Sequence, residues 1–335
     1  MKLAIVTDAW EPQVNGVVRT LGKTRDHLLE MGFDVIMITP QSFKTVPCPS
    51  YPSIRLAVLP YRKLANMLHN LQADAVHIAT EGPLGMAARR WCLKNRIHFT
   101  TSFHTQFPEY LRLRLPVPLS WSYAWLRRFH RPAVRTLVPT ISQQQRLQQH
   151  GFQEVVVWGR GVDTNVFKAD SIIDYALPRP IFINMGRVAV EKNIEAFLDL
   201  ELPGSKVVIG DGPDLDMLRK RYPDVLFTGA KFAEDLAAHL AAGDVFVFPS
   251  QTDTFGLVIL EAMACGLPVA AYPVTGPKDI IIDGHTGYLD WDLQHAAMNA
   301  LKLQKTDCIA FAMQNSWQKC TELFAGMMFD NRVDH

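Results

Sequence analysis

The chain has 335 residues, 48% of them hydrophobic and 20% charged, with a formal net charge of +1. At about 150 residues per domain this length reads as two domains, with apolar material for two cores. The near-neutral balance excludes a general nucleic-acid binder, whose surface is basic, and leaves room only for local basic patches.

The opening "MKLAIVTDAW" reads as a buried strand entering a polar turn, not as a signal peptide. In the first half, strands are predicted at 2–7, 34–39, 54–59, 74–79, 97–103, 137–140 and 154–157. Helices are predicted at 16–31, 61–70, 83–95, 119–133 and 143–150. A linker is placed near 160–178. A second series follows, with strands at 181–185, 206–209, 225–228, 244–248 and 268–271 and helices at 192–199, 213–221, 232–241, 256–265 and 277–282. This alternation implies βαβ units and largely parallel sheets. The expected domains are 1–165 and 166–305, and 306–335 is read as a helical segment that crosses back to the first. No run reaches the roughly 18 apolar residues of a membrane-spanning helix. Cys48, Cys92, Cys265, Cys308 and Cys320 are odd in number and widely spaced, which predicts reduced core thiols instead of disulfides or a zinc site.

Several stretches carry chemistry. In "VTDAWEPQVNGVVRT" a strand gives way to a loop and Gly16 opens a helix; glycine lets backbone approach a ligand, and a helix N-terminus offers N–H groups to an anion. A plain strand-to-helix turn fits those residues equally well. In "INMGRVAVEKN" Gly186 ends a strand, and Arg187 and Lys192 follow, the second at an expected helix start. Two cations there suit a diphosphate, and solvated surface charges are the alternative. "IGDGPDLDML" reads as a tight structural turn. In "SQTDTFGLVILEAMACGLPVAA" seven residues separate Asp253 from Glu261. The N–H groups of Gly256 and Leu257 suit phosphate oxygens. Glu261 lies roughly 7.5 Å further along the helix axis, a reach from phosphate to ribose. Asp253 and Thr254 fit helix capping as well, whereas an acid inside the apolar "LVILEAMACG" needs a partner. His104 closes strand 97–103, placed either to bond a substrate hydroxyl or to serve as an ordinary core histidine.

Together these pieces resemble the retaining glycosyltransferases of family 4. The blocks "PQVNGVVRTL", "SFHTQFPEY", "RGVD", "GRVAVEKN", "VIGDGP", "DTFGLVILEAMACGLPVAA" and "DGHTGYL" occur in family order over nearly the whole chain. The branch is the one that resembles bacterial GDP-mannose-dependent mannosyltransferases and glucosyl or sulfoquinovosyl diacylglycerol synthases. The resemblance implies an α/β chain of GT-B fold: two Rossmann-like domains, their parallel sheets facing across a cleft, the first binding acceptor and the second binding donor. It implies that Arg187 and Lys192 hold the donor diphosphate and Glu261 the ribose. Gly16, Phe255, Gly256 and Leu257 complete the donor site. His104 and Asp253 lie near the transferred sugar and, with Arg187 and Lys192, form the catalytic set. Most members carry Glu where Asp253 stands, which leaves the sugar contact open. No metal or other cofactor is implied. Base recognition is expected at backbone groups around 229–232.

The implied reaction moves a hexose from a UDP- or GDP-sugar to an acceptor hydroxyl. In "RLRLPVPLSWSYAWLRRFHRPAVRTL" (112–137), Arg112, Arg114, Arg127, Arg128, Arg131 and Arg135 interleave with Trp121, Tyr123, Trp125 and Phe129. Such a segment suits an anionic membrane surface, or equally an amphipathic domain helix with snorkelling arginines. "FAGMMF" (324–329) reads as core packing or a second weak contact. The leading expectation is a cytoplasmic enzyme, peripheral at the inner face of the membrane, acting on a lipid such as diacylglycerol. A transferase for soluble or polysaccharide acceptors and a non-catalytic nucleotide-sugar binder are the alternatives.

Overall fold

A computed structural model describes residues 1–13, 15–48, 51–104, 118–170, 172–253 and 255–329. Thr254 and the stretch 105–117, with Arg112 and Arg114, lie outside the described residues. The chain divides into two compact units. One is Met1–Gly159 with the C-terminal stretch from Trp317; the other is Arg160–Ser316.

In the first unit the elements are β1 (Lys2–Val6), α1 (Gly16–Glu30), β2 (Asp34–Ile38), β3 (Thr45–Cys48), β4 (Tyr51–Ala57), α2 (Tyr61–Leu71) and β5 (Ala75–Ile78). Then come α3 (Pro83–Asn95), β6 (Thr100–Ser102), α4 (Leu119–His130), β7 (Arg135–Val138), α5 (Ile141–Gln149) and β8 (Val155–Val157). Six strands form a parallel sheet in the order β2-β1-β5-β6-β7-β8. Leu3, Ala4, Ile5 and Val6 are fully buried, the continuous apolar run of a strand covered on both faces. The expected strand 54–59 is instead part of β4, which pairs antiparallel with β3 as a separate hairpin. β3 was not expected; Pro47 stands within it, where a two-stranded edge tolerates proline. The last helix of the chain (Trp317–Phe329) packs into this unit. Phe324 and Met328 are buried. Thr100 Oγ1 donates to Met328 Sδ at 3.0 Å, and Trp158 Nε1 donates to the Cys320 carbonyl at 3.1 Å.

The second unit runs β9 (Ile181–Met185), α6 (Glu195–Leu198), β10 (Ser205–Ile209), α7 (Leu215–Arg221), β11 (Leu226–Gly229), α8 (Ala233–Ala241) and β12 (Val245–Phe248). It continues α9 (Leu257–Ala264), β13 (Val269–Ala271), α10 (Pro277–Ile280), β14 (Gly287–Leu289), α11 (Leu293–Ala300) and α12 (Lys305–Gln314). Its parallel sheet has the order β11-β10-β9-β12-β13-β14, the strand order of a dinucleotide-binding α/β fold. The helical segment expected over 306–335 holds two helices, α12 and Trp317–Phe329, separated at Asn315 and Ser316. Among the described residues, no helix is long and apolar enough to cross a membrane.

None of the five cysteines forms a disulfide; Cys48 is half-buried and the other four are buried. Burial pushes the thiols of Cys92, Cys265 and Cys308 up to about 12.

Candidate active site

An open parallel sheet has a switch point where neighbouring strands send their connections to opposite sides, and ligands gather at the strand C-termini there. In the second unit that point lies between β9 and β12. Their ladder pairs Val245 with Phe182 and Phe246 with Ile183. Beyond it the buried Asn184 side chain donates to the Val247 carbonyl at 3.0 Å. The loops after the two strands are then tied together. Asn193 Nδ2 donates to the Pro249 carbonyl at 3.1 Å, and the Thr252 hydroxyl donates to the Glu191 carbonyl at 3.3 Å.

The main link is ionic. Lys192 Nζ lies 2.6 Å from Asp253 Oδ1 and 2.9 Å from Oδ2. Their side chains keep 28% and 18% of their exposure, so both remain accessible. Two residues 61 positions apart in sequence, one assigned to diphosphate and the other to sugar, thus meet. This pairing takes the place of the helix cap that Asp253 alone suggested. Lys192 does not open a helix as expected. It ends a 3-10 turn over Val190–Lys192, and Asn193 follows in the left-handed region at φ 52°.

Arg187 stands exposed beyond β9. The loop it occupies is pressed against the loop after β10. A Cβ at Gly210 (φ +150°) would fall 1.8 Å from the Gly186 carbonyl oxygen, and one at Gly212 would fall 2.2 Å from that of Val188. Only glycine fits such an approach. Main-chain bonds run from Gly186 to Ile209 (3.0 Å) and from Val188 to Asp211 (3.0 Å).

Gly256, at φ 88°, caps α9 and brings no side-chain acceptor of its own to the N–H groups that begin with Leu257. Phe255 is half-buried and packs on the apolar core. Its carbonyl lies 2.9 Å from where a Cβ on Gly276 would stand. Glu261 sits in the fifth position of α9 and is 4% exposed. Its charge adds to burial in raising the neighbouring Cys265 thiol. Arg187, Lys192, Asp253, Phe255, Gly256, Leu257 and Glu261 therefore all belong to the loops after β9 and β12 and the helix that follows.

Gly16 and His104 belong to the first unit. Gly16 is exposed at the start of α1. The N–H groups of Val17 and Val18 are taken by the Asn15 side chain, each at 3.0 Å. Those two amides are therefore not the open anion donors expected of this turn. His104 follows β6, half-buried, its ring edge-on to Trp158 with centroids 5.9 Å apart.

Sequence reasoning missed a buried acid at this unit's own switch point, between β1 and β5. Asp8 Oδ1 accepts from the Leu84 N–H at 2.8 Å, and Oδ2 accepts from Thr80 Oγ1 at 2.9 Å and the Gly85 N–H at 3.3 Å. Burial raises its carboxyl above the usual carboxylate range against those donors, with Glu81 adding to the rise. The available signal was an acid directly after a buried strand.

The 112–137 stretch divides on α4. Trp121 and Trp125 are exposed, whereas Tyr123 and Phe129 are buried, a correction to the expected run of interfacial aromatics. Tyr123 stacks on His150 at 3.7 Å. Arg127, Arg128 and Arg131 are exposed, and Arg127 Nη1 donates to the His150 carbonyl at 2.9 Å.

Comparisons with known proteins agree with this architecture. Residues 14–166 match Glycosyltransferase Family 4, and residues 179–304 match Glycosyl transferases group 1. A GDP-mannose-dependent alpha-mannosyltransferase of Mycobacterium tuberculosis is 31% identical over 316 residues, covering 86% of this chain and 83% of that protein. An alpha-monoglucosyldiacylglycerol synthase of Streptococcus pneumoniae is 25% identical over 346 residues, covering 90% and 78%. The Anabaena HepE structure in complex with UDP superposes with TM-score 0.70 at 16% identity, covering 98% of this chain and 99% of that one; at that identity it speaks for the fold alone, which is GT-B. With both units matched and a relative of that identity aligned along most of its length, the chain belongs to the family 4, group 1 glycosyltransferases.

Proposed function

We propose that the chain is a retaining hexosyltransferase that moves a hexose from a UDP- or GDP-sugar to the hydroxyl of a membrane lipid such as diacylglycerol. The observation that carries the donor half is the Lys192–Asp253 pair across the switch point of the second unit. In this reading Lys192 and Arg187 meet the diphosphate, joined by the Gly256 and Leu257 N–H groups, and Glu261 accepts from the ribose hydroxyls. Asp253 and His104 address the hexose, and Gly16 adds close backbone approach. As the anomeric carbon–oxygen bond breaks, negative charge grows on the leaving diphosphate. The cations and the helix N–H groups stabilise it more in the transition state than before, which is where rate is gained. The acceptor oxygen bonds to the same face of that carbon, and its proton passes to the departing phosphate. No metal ion takes part.

The lipid half is supported by the relative named for monoglucosyldiacylglycerol synthesis. It is supported too by α4, where the exposed Trp121 and Trp125 share a helix face with Arg128. Indole rings and arginines of this kind suit the headgroup region of an anionic leaflet, at the cytoplasmic side.

Thermal-shift titration with UDP, GDP, ADP and their sugar conjugates tests the donor half. A nucleotide at a hundred times its Kd stabilises the native state by about 2.7 kcal/mol, and the responding base names the donor. No response to any of them overturns the reading. Co-sedimentation with anionic vesicles tests the other half; protein left in the supernatant moves the acceptor to soluble or polysaccharide hydroxyls.

A further inference from the structure

The first unit carries a second side-chain constellation at its own switch point. Glu81 lies in the short connection from β5 to α3, with a half-buried side chain. Its Oε1 is 3.2 Å from His130 Nε2, and the other ring nitrogen, Nδ1, is 2.8 Å from Thr101 Oγ1. Thr101 Oγ1 in turn lies 3.2 Å from Thr136 Oγ1. His130 is 2% exposed, its ring walled by Phe103, Phe129 and Phe152 at centroid distances of 6.1, 5.0 and 5.9 Å. An imidazole in such a pocket is oriented by its two bonds. Here its reachable end is fixed on a carboxylate that still meets solvent.

The loop bearing Glu81 is fixed from the other side as well. Asp8 holds Thr80, Leu84 and Gly85. A Cβ on Gly82 would stand 2.4 Å from the Asp8 carboxyl carbon, and one on Gly85 would stand 1.8 Å from the Thr80 carbonyl oxygen. A carboxylate this constrained, at the place where open α/β sheets receive ligands, has the rigidity of a binding group.

We propose that Glu81 binds a hydroxyl of the acceptor and that His130 is its positioning residue. The ligand class is a hydroxyl-bearing group, which donates to the carboxylate. The inference rests on the transferase reading above and assigns the acceptor subsite that reading leaves without residues.

The test measures transfer from UDP-glucose and GDP-mannose to dioleoylglycerol in anionic vesicles, with n-octyl glucoside as a soluble acceptor, alongside calorimetric nucleotide affinity. Glu81→Gln is expected to raise the acceptor KM at least tenfold while the nucleotide Kd stays within twofold. His130→Gln is expected to raise the acceptor KM several-fold alone and to add nothing in the Glu81→Gln background, since it acts through that carboxylate. Glu81→Asp should recover part of the loss. Glu81→Gln with wild-type acceptor KM and intact nucleotide binding overturns the inference and leaves the transferase reading standing. A wild type that transfers to neither hydroxyl overturns both.

Discussion

Two sheets of the same kind carry different chemistry at their switch points. In the second unit the strand ends carry Arg187 and the Lys192–Asp253 pair, with a glycine-started helix beside them. In the first they carry Asp8 and Glu81, backed by a buried histidine and a row of threonines. Cations with backbone N–H groups recognise phosphates; carboxylates recognise hydroxyls. The topology fixes where ligands gather, and the residue types at that place fix which chemistry is received. A chain that must hold a phosphorylated donor and a hydroxylated acceptor can therefore use one architecture twice.

The comparison is broken most severely by closing its rigid loops. Gly210→Ala puts a methyl 1.8 Å from the Gly186 oxygen, and Gly85→Ala puts one 1.8 Å from the Thr80 oxygen. Each should cost about 3 kcal/mol, since backbone must move, and each should lower the melting midpoint by several degrees in calorimetry. Wild-type melting in either variant would mean that its loop is not the fixed platform described.

Next in size is Lys192→Ala. Losing a charge aimed at the leaving diphosphate should slow transfer roughly 100-fold at saturating donor. If turnover persists, the cationic half of the contrast is wrong. Glu261→Ala should weaken nucleotide affinity by about tenfold, the scale of one lost charge-assisted hydrogen bond. Titration calorimetry reads this directly, and unchanged affinity would separate Glu261 from the ribose.

The smallest effect concerns Asp8. Its carboxyl is raised above 3.8 by burial, so its contribution to stability is full below that value and fades as pH climbs through the raised one. Asp8→Asn removes this titration. The wild type's melting midpoint relative to the variant's should be most favourable near pH 4 and should decline toward pH 8. A flat difference would place the carboxyl outside the buried setting described.

Much of this was legible in the chain because parallel strands announce themselves as apolar runs between helices. The strand–loop–helix blocks around Gly186 and Gly256 could be read for the same reason. The 3-10 turn at Lys192 could not be, because "VAVEKNIEAF" has helical composition and only the left-handed Asn193 breaks it. Neither could the Lys192–Asp253 bond, which joins the loops after two strands at the switch of the sheet. The inward turn of Tyr123 and Phe129 depends on which face of α4 meets the sheet, a choice that interleaved aromatics leave undecided. β14 was read only within the motif DGHTGYL, and α11 was not read at all.

The paired glycine loops have one more consequence, visible in time and not in space. Val188 N–H is bound to the Asp211 carbonyl, and Gly210 N–H to that of Gly229. These amides lie past the ends of their strands, where loop protons ordinarily exchange with solvent within the fastest class. Here they should exchange as slowly as the amides of β9 and β10 themselves, so deuterium labelling would trace a sheet longer than its strands.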